Sequence, residues 1–592
     1  MLHTTKGGVP FPTRSFFWIT YVAASVIAFS LTVMSPTPSA SSQGHVRDGE
    51  DDWQFEEEYA KVHKDKSPAW GIAPRGGSMR RLPAAAPPAA RAGNLGFSTG
   101  GAKDIGNFRE NIARGFLPLP TDVTYEGLFY DYSFETDAKC SGNTLFCPTY
   151  STAVSDDPFT GTPEYFLSVG LASGLKASEF HRKKLNLLLV LDISGSMSAP
   201  FDKYYYDRFG RKTEQAAKDG ESGKSKLVAA TTALIALLDH LRPDDRFGLV
   251  LFDQCAYTAL RPRQVADRNM EAIKGHIREL HSMGGTNLDA GLSLATTLLS
   301  GTREKSNDQY ENRIIFMTDA MPNMGDTSDK AFLARIQDNA KARIYATIIG
   351  IGVDFNTALV DKITKARGAN SYSVHSSTEF RKRLDAEFDY MVTPLVFDLS
   401  LAFQSAGFAI DAVYGSPEAN AATGTLLRVN TLFPSPTNEE GARGGLILLR
   451  LKKTASNPTI LLTATYEDRG GHKEQITQQV HFRTGGEHSD ALSIRKGILL
   501  ARYATLLREW LAAARTPDAP SETQGAGGKR PIDPSRLGDW ERQSRSLEVS
   551  PQQRAQFIRF RDYFQKEMVS CQDGGLKREL DVLDQLGRKK PY

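Results

Sequence analysis

A regular alternation of buried-strand and helix patterns between residues 185 and 392 constrains this chain more than any other feature. It begins with LNLLLVLDI at residues 185–193, a continuous apolar run typical of a strand covered on both faces. KSKLVAATTALIALLDHL follows with helical spacing, and RFGLVLFD, NRIIFMTDA and RIYATIIGIG then alternate with further helical segments. This order predicts right-handed crossovers and an α/β fold with a doubly wound, mostly parallel sheet.

The segments on both sides of this α/β unit have a different pattern. After Pro394, short apolar runs separated by Gly, Pro and Asn predict an antiparallel, β-sandwich-like satellite domain, and helical patterns return towards the C-terminus. Upstream, VTYEGLFYDYSF and EYFLSVGLAS favour strands that pack on the satellite domain. A chain of 592 residues is too long for a single hydrophobic core, so we expect several regions. These are strands at 105–184, the α/β domain at 185–392, a β-rich domain at 393–485, and C-terminal helices at 486–592 with a Pro/Gly-rich linker at 516–535.

The N-terminal region predicts export or membrane attachment. Residues 16–34, FFWITYVAASVIAFSLTVM, carry no charge and are about long enough to cross the hydrocarbon layer. Residues 1–34 are therefore a cleaved signal peptide or an uncleaved membrane anchor, and either places the rest of the chain outside the cytosol. Residues 35–104 combine an acidic run with a Pro/Ala-rich tract, which predicts a disordered linker.

Composition argues against several classes of function. The formal net charge of +3 is small for this length and gives no electrostatic basis for nucleic-acid binding. The sequence has no H-E-x-x-H zinc motif and no nucleophile elbow before a helix, so nothing in it requires an enzyme. Four cysteines are too few for a disulfide scaffold. Cys140 and Cys147 enclose a short loop, and they either form a disulfide in an oxidising compartment or stay as two free thiols.

Five oxygen-bearing side chains are predicted to meet at the edge of the parallel sheet where ligands collect, beyond the carboxyl ends of the strands. The first strand ends in Asp192, Ser194 and Ser196, whose i, i+2, i+4 spacing points them to one side of an extended backbone. Asp319 ends a later strand, and Thr286 follows two glycines just before a helix. Their carboxylate and hydroxyl oxygens are hard ligands that suit Mg²⁺, with Mn²⁺ or Ca²⁺ as substitutes, and do not suit zinc or copper.

The donor set also indicates how such a site would be used. Hydroxyl groups carry no charge, so the charge of a bound cation would be incompletely neutralised. An open coordination position would then attract an Asp or Glu carboxylate from another molecule. The pattern favours a binding device whose last ligand is supplied by a protein partner.

The D-x-S-x-S motif that starts at Asp192, a Thr in a GGT loop and an Asp that ends a later strand resemble the metal-ion-dependent adhesion site of von Willebrand factor type A (VWA) domains. The resemblance implies direct metal contact by the hydroxyls of Ser194, Ser196 and Thr286. It also implies that Asp192 and Asp319 act through water, as the corresponding acids usually do in that family.

This resemblance covers about residues 185–392. Ala320 stands where the family often has glycine, a departure that changes the room in the loop and removes no ligand. The flanking strand-rich regions are similar to bacterial exported VWA proteins related to inter-alpha-trypsin inhibitor heavy chains.

An insertion rich in tyrosine and charged residues lies between the D-x-S-x-S turn and the first long helix. Tyrosine and arginine are enriched at recognition surfaces, so Tyr204, Tyr205, Tyr206 and Arg208 are predicted to form a ligand-binding rim around the metal site. The alternative is a mobile charged loop with incidental tyrosines.

These observations favour a non-catalytic adhesion or scaffold protein, extracytoplasmic or membrane-tethered through its N-terminal segment, that binds a protein ligand through a divalent cation. The alternative is a regulatory or assembly subunit of a larger membrane-associated complex. That subunit would dock through its C-terminal helices and would not need metal-bridged binding.

Overall fold

The computed structural model of this chain describes residues 51–63, 94–135, 144–199, 203–206, 212–215, 224–302, 309–319, 326–352, 362–374, 377–417, 426–438, 440–455, 459–482, 486–515 and 545–588. The apolar segment at 16–34 and the Pro/Gly-rich linker at 516–535 lie outside these ranges. Across the described ranges, no helix has both the length and the apolar character needed to span a membrane.

A seven-stranded sheet forms the centre of the α/β domain. Its strands are β2 (Gly101–Ala102), β6 (Lys184–Asp192), β9 (Arg246–Phe252), β10 (Ala256–Gln264), β11 (Tyr310–Thr318), β12 (Ile344–Ile351) and β13 (Asn370–Val374). They lie in the order β10, β9, β6, β11, β12, β13, β2, and every neighbouring pair is parallel except the edge pair of β10 and β9. The predicted α/β fold with a mostly parallel sheet is confirmed.

Helices cover both faces of this sheet, which explains the continuous apolar run of β6. Leu187, Leu189 and Leu191 belong to one core, and Leu188 and Val190 belong to the core on the opposite face. The first core is closed by α4 (Lys226–Leu238), α5 (Met270–Arg278) and α8 (Ser377–Met391). The second core is closed by α6 (Leu288–Thr302) and α7 (Asp326–Lys341).

A short N-terminal helix, α1 (Phe55–Val62), packs on the edge strand β10. Phe55 is fully buried, and the backbone N–H of Gln54 donates to the carbonyl of Ala259 at 2.9 Å. The interpretation of residues 35–104 as a disordered linker is therefore wrong for this segment. The acidic composition suggested a solvated chain, but three aromatic residues on one side of it (Trp53, Phe55 and Tyr59) pack against the α/β core.

The β-rich domain is built on a ten-stranded antiparallel sheet. Its strands are β1 (Asn94–Thr99), β4 (Cys147–Asp156), β5 (Pro163–Lys176), β14 (Val396–Ser405), β15 (Phe408–Tyr414), β16 (Leu426–Ser435), β19 (Leu446–Lys453), β20 (Thr459–Asp468), β21 (Lys473–His481) and β22 (His488–Ser489). Eight of them follow the order β15, β19, β5, β1, β16, β14, β20, β21, while β4 pairs with β5 and β22 pairs with β4. The sheet thus combines strands from both sides of the α/β domain, and β1 is a second folded segment inside the predicted linker range.

The sheet curls so that its two ends share one core. Phe408 begins the edge strand β15 and Phe482 follows the opposite edge strand β21, yet their ring centroids lie 4.7 Å apart. Apolar residues from all the long strands meet in this single cluster. The domain therefore has the sandwich-like form predicted for the satellite region.

Three smaller strand pairings complete the β-structure of the described residues. β17 (Thr437–Asn438) pairs with β18 (Gly441–Arg443), and β18 pairs with β3 (Ser133–Phe134). β7 (Lys203–Tyr206) and β8 (Lys212–Gln215) form an antiparallel hairpin inside the insertion of the α/β domain.

Five helices pack against the β-rich domain in a second core, to which strands β4, β5, β15 and β19 also contribute residues. The helices are α2 (Gly106–Ala113), α3 (Tyr125–Tyr130), α9 (Leu492–Arg515), α10 (Pro551–Cys571) and α11 (Lys577–Gly587). Helix α3 corrects the strand expected for VTYEGLFYDYSF: the hydroxyl of Thr124 caps it by accepting from the N–H of Gly127 at 3.0 Å. Arg109 on α2 forms a salt bridge with Glu579 on α11, which ties the chain's early and late segments together.

Candidate metal centre

Four of the five predicted oxygen-bearing residues lie where two central strands of the parallel sheet end, and the fifth, Thr286, is in a loop hydrogen-bonded to the same turn. β6 ends at Asp192 and β11 ends at Thr318, and the parallel register pairs Leu191 with Met317 one residue earlier. Asp192 therefore lies level with Thr318 and next to Asp319. Both aspartates are fully buried.

Hydrogen bonds fix both carboxylate oxygens of Asp192. The backbone N–H of Ser194 donates to Oδ1 at 2.8 Å, and the hydroxyl of Thr318 donates to Oδ2 at 2.6 Å. The first bond closes the turn that directs the two serines, since an Asp side chain readily accepts from a backbone N–H two residues on. Asp192 thus holds the shape of the turn and contributes negative charge.

The serine hydroxyls connect this turn to the second aspartate. The Ser194 and Ser196 hydroxyl oxygens are 3.0 Å apart, and the Ser196 hydroxyl donates to Asp319 Oδ1 at 3.2 Å. Ser194 is fully buried, whereas Ser196 is partly exposed. The spacing of the D-x-S-x-S motif therefore places the Ser196 hydroxyl beside Asp319, the residue that follows β11, and the Ser194 hydroxyl next to that of Ser196.

The loop that carries Thr286 is attached to the same turn by backbone hydrogen bonds. The N–H of Met283 donates to the carbonyl of Ile193 at 2.7 Å, and the N–H of Gly195 donates to the carbonyl of Gly284 at 3.0 Å. Gly284 has φ of +67°, and a Cβ there would lie 2.5 Å from a carboxylate oxygen of Asp253, so this position requires glycine.

Thr286 itself has an unusual environment. Its side chain is 1% exposed, and its hydroxyl has no hydrogen-bond partner among the described residues. Leaving a buried hydroxyl unpaired costs about 1–3 kcal/mol. Such a group, in a loop that is hydrogen-bonded to the turn of Ser194 and Ser196, has the environment expected of a side chain that awaits a ligand.

Burial and the charge of Asp319 both affect the ionisation of Asp192. Burial, reinforced by the negative charge of Asp319, raises the pKa of Asp192 from its usual value to about 7, against the lowering effect of the hydrogen bonds from Ser194 and Thr318. A positive charge between the carboxylates would relieve this repulsion. The electrostatics of the centre therefore favour a cation.

The structure brings to this centre a cationic side chain that lies outside the D-x-S-x-S motif and the other predicted site residues. The ammonium of Lys226, the first residue of α4, lies 3.2 Å from Asp319 Oδ2. Lys226 is 3% exposed, so this ion pair is buried. The residue follows Ser196 by thirty positions, and no motif in the sequence connects the two.

The chemistry of this donor set fits a hard divalent cation. Two carboxylates, two serine hydroxyls and the unpartnered threonine hydroxyl could hold Mg²⁺, Mn²⁺ or Ca²⁺, which prefer oxygen ligands. Within the described ranges, no group of three or more His, Cys, Asp or Glu side chains is arranged to hold a metal ion, so none offers the imidazole or thiolate set that zinc and copper prefer.

The other predicted site residues are only partly described. Tyr204, Tyr205 and Tyr206 lie on β7, but their side chains are outside what the structure describes, as is Arg208 altogether. Cys147 is disulfide-bonded, whereas Cys140, its predicted partner, lies outside the described residues.

Comparison with known proteins places this centre in a recognised domain. Residues 187–321 match the family model described as "von Willebrand factor type A domain". Human inter-alpha-trypsin inhibitor heavy chain H4 is 25% identical over 224 residues, which are 37% of this chain and 21% of that protein. An uncharacterized protein of Synechocystis is 29% identical over 216 residues, 36% of this chain and 43% of that protein. The chain thus spans about a fifth of the length of the human heavy chain.

Solved structures with similar folds include "von Willebrand factor type A from Catenulispora acidiphila", with a TM-score of 0.39 and 15% identity. That match covers 63% of this chain and 84% of the other. The ArnB paralog VWA2 of Sulfolobus acidocaldarius has a TM-score of 0.34 and 12% identity, with coverage of 75% and 97%. The family match covers residues 187–321, and the arrangement of sheet, turn and loops in that part of the chain agrees with it. This part of the chain is a VWA-type domain, and the chain is similar to the inter-alpha-trypsin inhibitor heavy chains.

Proposed function

We propose that this protein is a non-catalytic binding protein whose VWA domain binds a protein ligand through a divalent cation. Mg²⁺ is the expected ion, and Mn²⁺ or Ca²⁺ would substitute for it. The observation that carries the proposal is the buried, unpartnered hydroxyl of Thr286, in a loop hydrogen-bonded to the turn of Ser194 and Ser196. When bound, the cation would supply an open coordination position for a carboxylate.

Each side chain has a distinct part in this proposal. The hydroxyls of Ser194, Ser196 and Thr286 would provide direct ligands, as the family resemblance implies. Asp192 shapes the turn through its bond from the Ser194 N–H, and Asp319 orients the Ser196 hydroxyl. An Asp or Glu carboxylate from the protein partner would complete the coordination, and Tyr204, Tyr205, Tyr206 and Arg208 would contribute to partner choice.

We further propose that the folded part lies outside the cytosol, either secreted or attached to a membrane through residues 16–34. Two observations support this location. Residues 16–34 are free of charge, and Cys147 is in a disulfide, a bond that persists mainly in oxidising compartments.

Isothermal titration calorimetry on the full chain tests the metal site. We expect one Mg²⁺ or Mn²⁺ to bind, and binding to be lost when Ser194→Ala and Ser196→Ala are combined. Ser300→Ala, an exposed serine at the far end of α6, is the matched control and should bind like the unchanged protein. Absence of binding by the unchanged chain would contradict the proposal.

Affinity capture from a native extract then tests the bridging role. Partners held through the cation should be captured in Mg²⁺, released by EDTA and lost with the double serine variant. If the same partners remained bound after EDTA, the chain would act through another surface, as an assembly subunit would. In that case docking would use the C-terminal helices α9, α10 and α11. Much of the apolar surface of these helices is already buried in a core that they share within this chain.

A further inference from the structure

Lys226 occupies a position that is unfavourable for a lysine on two counts. It is the first residue of α4, where the positive end of the helix dipole disfavours a cation, and the first turn of α4 contains no acidic residue. Its side chain is also buried, at 3% exposure, which removes hydration from the ammonium. Local helix chemistry therefore does not explain why a lysine begins this helix.

The contacts of Lys226 connect this position to the metal centre. The hydroxyl of Ser225 caps α4 by accepting from the N–H of Val228, and the N–H of Lys226 donates to the carbonyl of Ala199 at 3.0 Å. The second bond holds the start of α4 against the segment that follows Ser196. The Lys226 ammonium then lies 3.2 Å from Asp319 Oδ2, while the other carboxylate oxygen, Oδ1, accepts from the Ser196 hydroxyl.

We propose that Lys226 is a charge-setting residue of the metal centre, a role that rests on the proposed function and defines its partner chemistry. In the metal-free protein, the ammonium offsets the charge of Asp319 and holds the centre together. In the loaded centre, two carboxylates, one ammonium and a divalent cation leave a net charge of +1. Lys226 thereby weakens cation binding and strengthens binding of an anionic ligand at the open position.

Both effects follow from elementary electrostatics. A positive charge buried close to a cation site repels the incoming cation, and little water is present to screen it. The same charge attracts a carboxylate that approaches the bound cation. Lys226 therefore lowers the affinity for the cation and raises the preference for acidic ligands. Without Lys226, the centre would bind its metal more tightly, and the formal charges of the two carboxylates and the cation would sum to zero.

The first experiment measures Mn²⁺ binding by calorimetry for the unchanged full chain, Lys226→Met, Lys226→Arg and Ser194→Ala. Lys226→Met should tighten Mn²⁺ binding at least about tenfold, because a buried repulsive charge is removed. Lys226→Arg keeps the charge and should bind like the unchanged chain. Ser194→Ala, which removes a proposed direct ligand, should weaken binding.

The second experiment uses acetate as the carboxylate probe. Exchange of chloride for acetate at constant ionic strength should tighten apparent Mn²⁺ binding by the unchanged chain. If bound Mn²⁺ promotes acetate binding, acetate must promote Mn²⁺ binding by the same factor. The acetate effect should be smaller for Lys226→Met. In EDTA, Lys226→Met should also melt at a lower temperature, and saturating Mn²⁺ should stabilise it more than it stabilises the unchanged chain.

The outcomes separate this inference from the proposed function. Equal Mn²⁺ affinities and equal acetate effects for the unchanged chain and Lys226→Met would overturn the role of Lys226 and leave the metal site intact. Failure of all four proteins to bind Mn²⁺ would overturn the proposed function itself. If Lys226→Met unfolds in EDTA, refolding on addition of Mn²⁺ supports the inference, and failure to refold contradicts it.

Discussion

Replacement of Phe55 by alanine provides a direct test of how the N-terminal segment packs. Phe55 is fully buried, and its ring makes edge-on contact with Tyr257 of β10, with centroids 5.6 Å apart. The ring also contacts Tyr59 on the same helix at 6.0 Å and Trp53 at 6.5 Å. Phe55→Ala would remove the central ring of this cluster and leave a cavity against the α/β core.

The magnitude follows from the burial. Truncating a buried Phe to Ala costs about 3–5 kcal/mol. Helix α1 lies at one edge of the described fold, so the loss should appear first as local detachment of α1 and not as unfolding of the whole domain. A loss of about 3 kcal/mol corresponds to a docking equilibrium shifted by more than about 100-fold.

Hydrogen exchange followed by mass spectrometry measures this shift directly. In Phe55→Ala, peptides from α1 and β10 should lose about two orders of magnitude of protection, while peptides from the central strand β11 should be unchanged. Val62→Ala is the matched control, because Val62 belongs to the same helix but is 45% exposed. Unchanged protection of α1 in Phe55→Ala would refute the packing argument.

Two buried charges give further predictions. Burial lowers the pKa of Lys103 to about 7, below its value in the unfolded chain, so the stability of the protein should fall as pH decreases from 10 to 7. At pH 7, Lys103→Met should therefore be more stable than the unchanged chain by about 2–4 kcal/mol. Urea unfolding measures this difference, which should close near pH 10. A gap that is independent of pH would contradict this. Arg182 binds Asp245 through two hydrogen bonds at 2.7 and 2.5 Å, with both side chains fully buried, so Arg182→Ala should cost about 3–5 kcal/mol by leaving a buried carboxylate unpaired. As a control, replacing Lys341, which forms an exposed ion pair with Asp338, should change the unfolding midpoint very little. An equal loss of stability on replacing Arg182 and Lys341 would contradict the burial argument.

The α/β fold and the proximity of Asp192 to Asp319 were predictable because strand ends are visible in the sequence. A strand buried on both faces reads as an uninterrupted apolar run, so its end at Asp192 is sharp, and the end of β11 before Asp319 is equally clear. Parallel strands bring their carboxyl ends to one edge, which places the two acids together without knowledge of the loops. Only the topology was needed to predict this part of the centre.

The segments interpreted wrongly depend on partners that the local sequence does not contain. The aromatic residues of α1 are set among acidic residues, and their burial requires β10, about 200 positions later. The run at Tyr125–Tyr130 has the aromatic content of a strand but forms α3, because Thr124 caps it and its apolar residues pack into the core shared with α9. Tertiary contacts override local propensity in α1, and in α3 they act together with the local cap from Thr124.

Lys226 shows the same principle at the metal centre, and there it changes the chemistry. From the sequence, its lysine belongs to the first turn of a helix and is separated from the D-x-S-x-S turn by the tyrosine-containing insertion. In the structure, the bond between its N–H and the carbonyl of Ala199 and the pairing of its ammonium with Asp319 show that the start of α4 returns to that turn. The direct hydroxyl ligands are uncharged, and when both nearby aspartates are counted the formal charges of the five residues and a divalent cation sum to zero. With Lys226 paired to Asp319, the same ligands describe a centre that stays positive when loaded, and a positive centre selects an acidic partner.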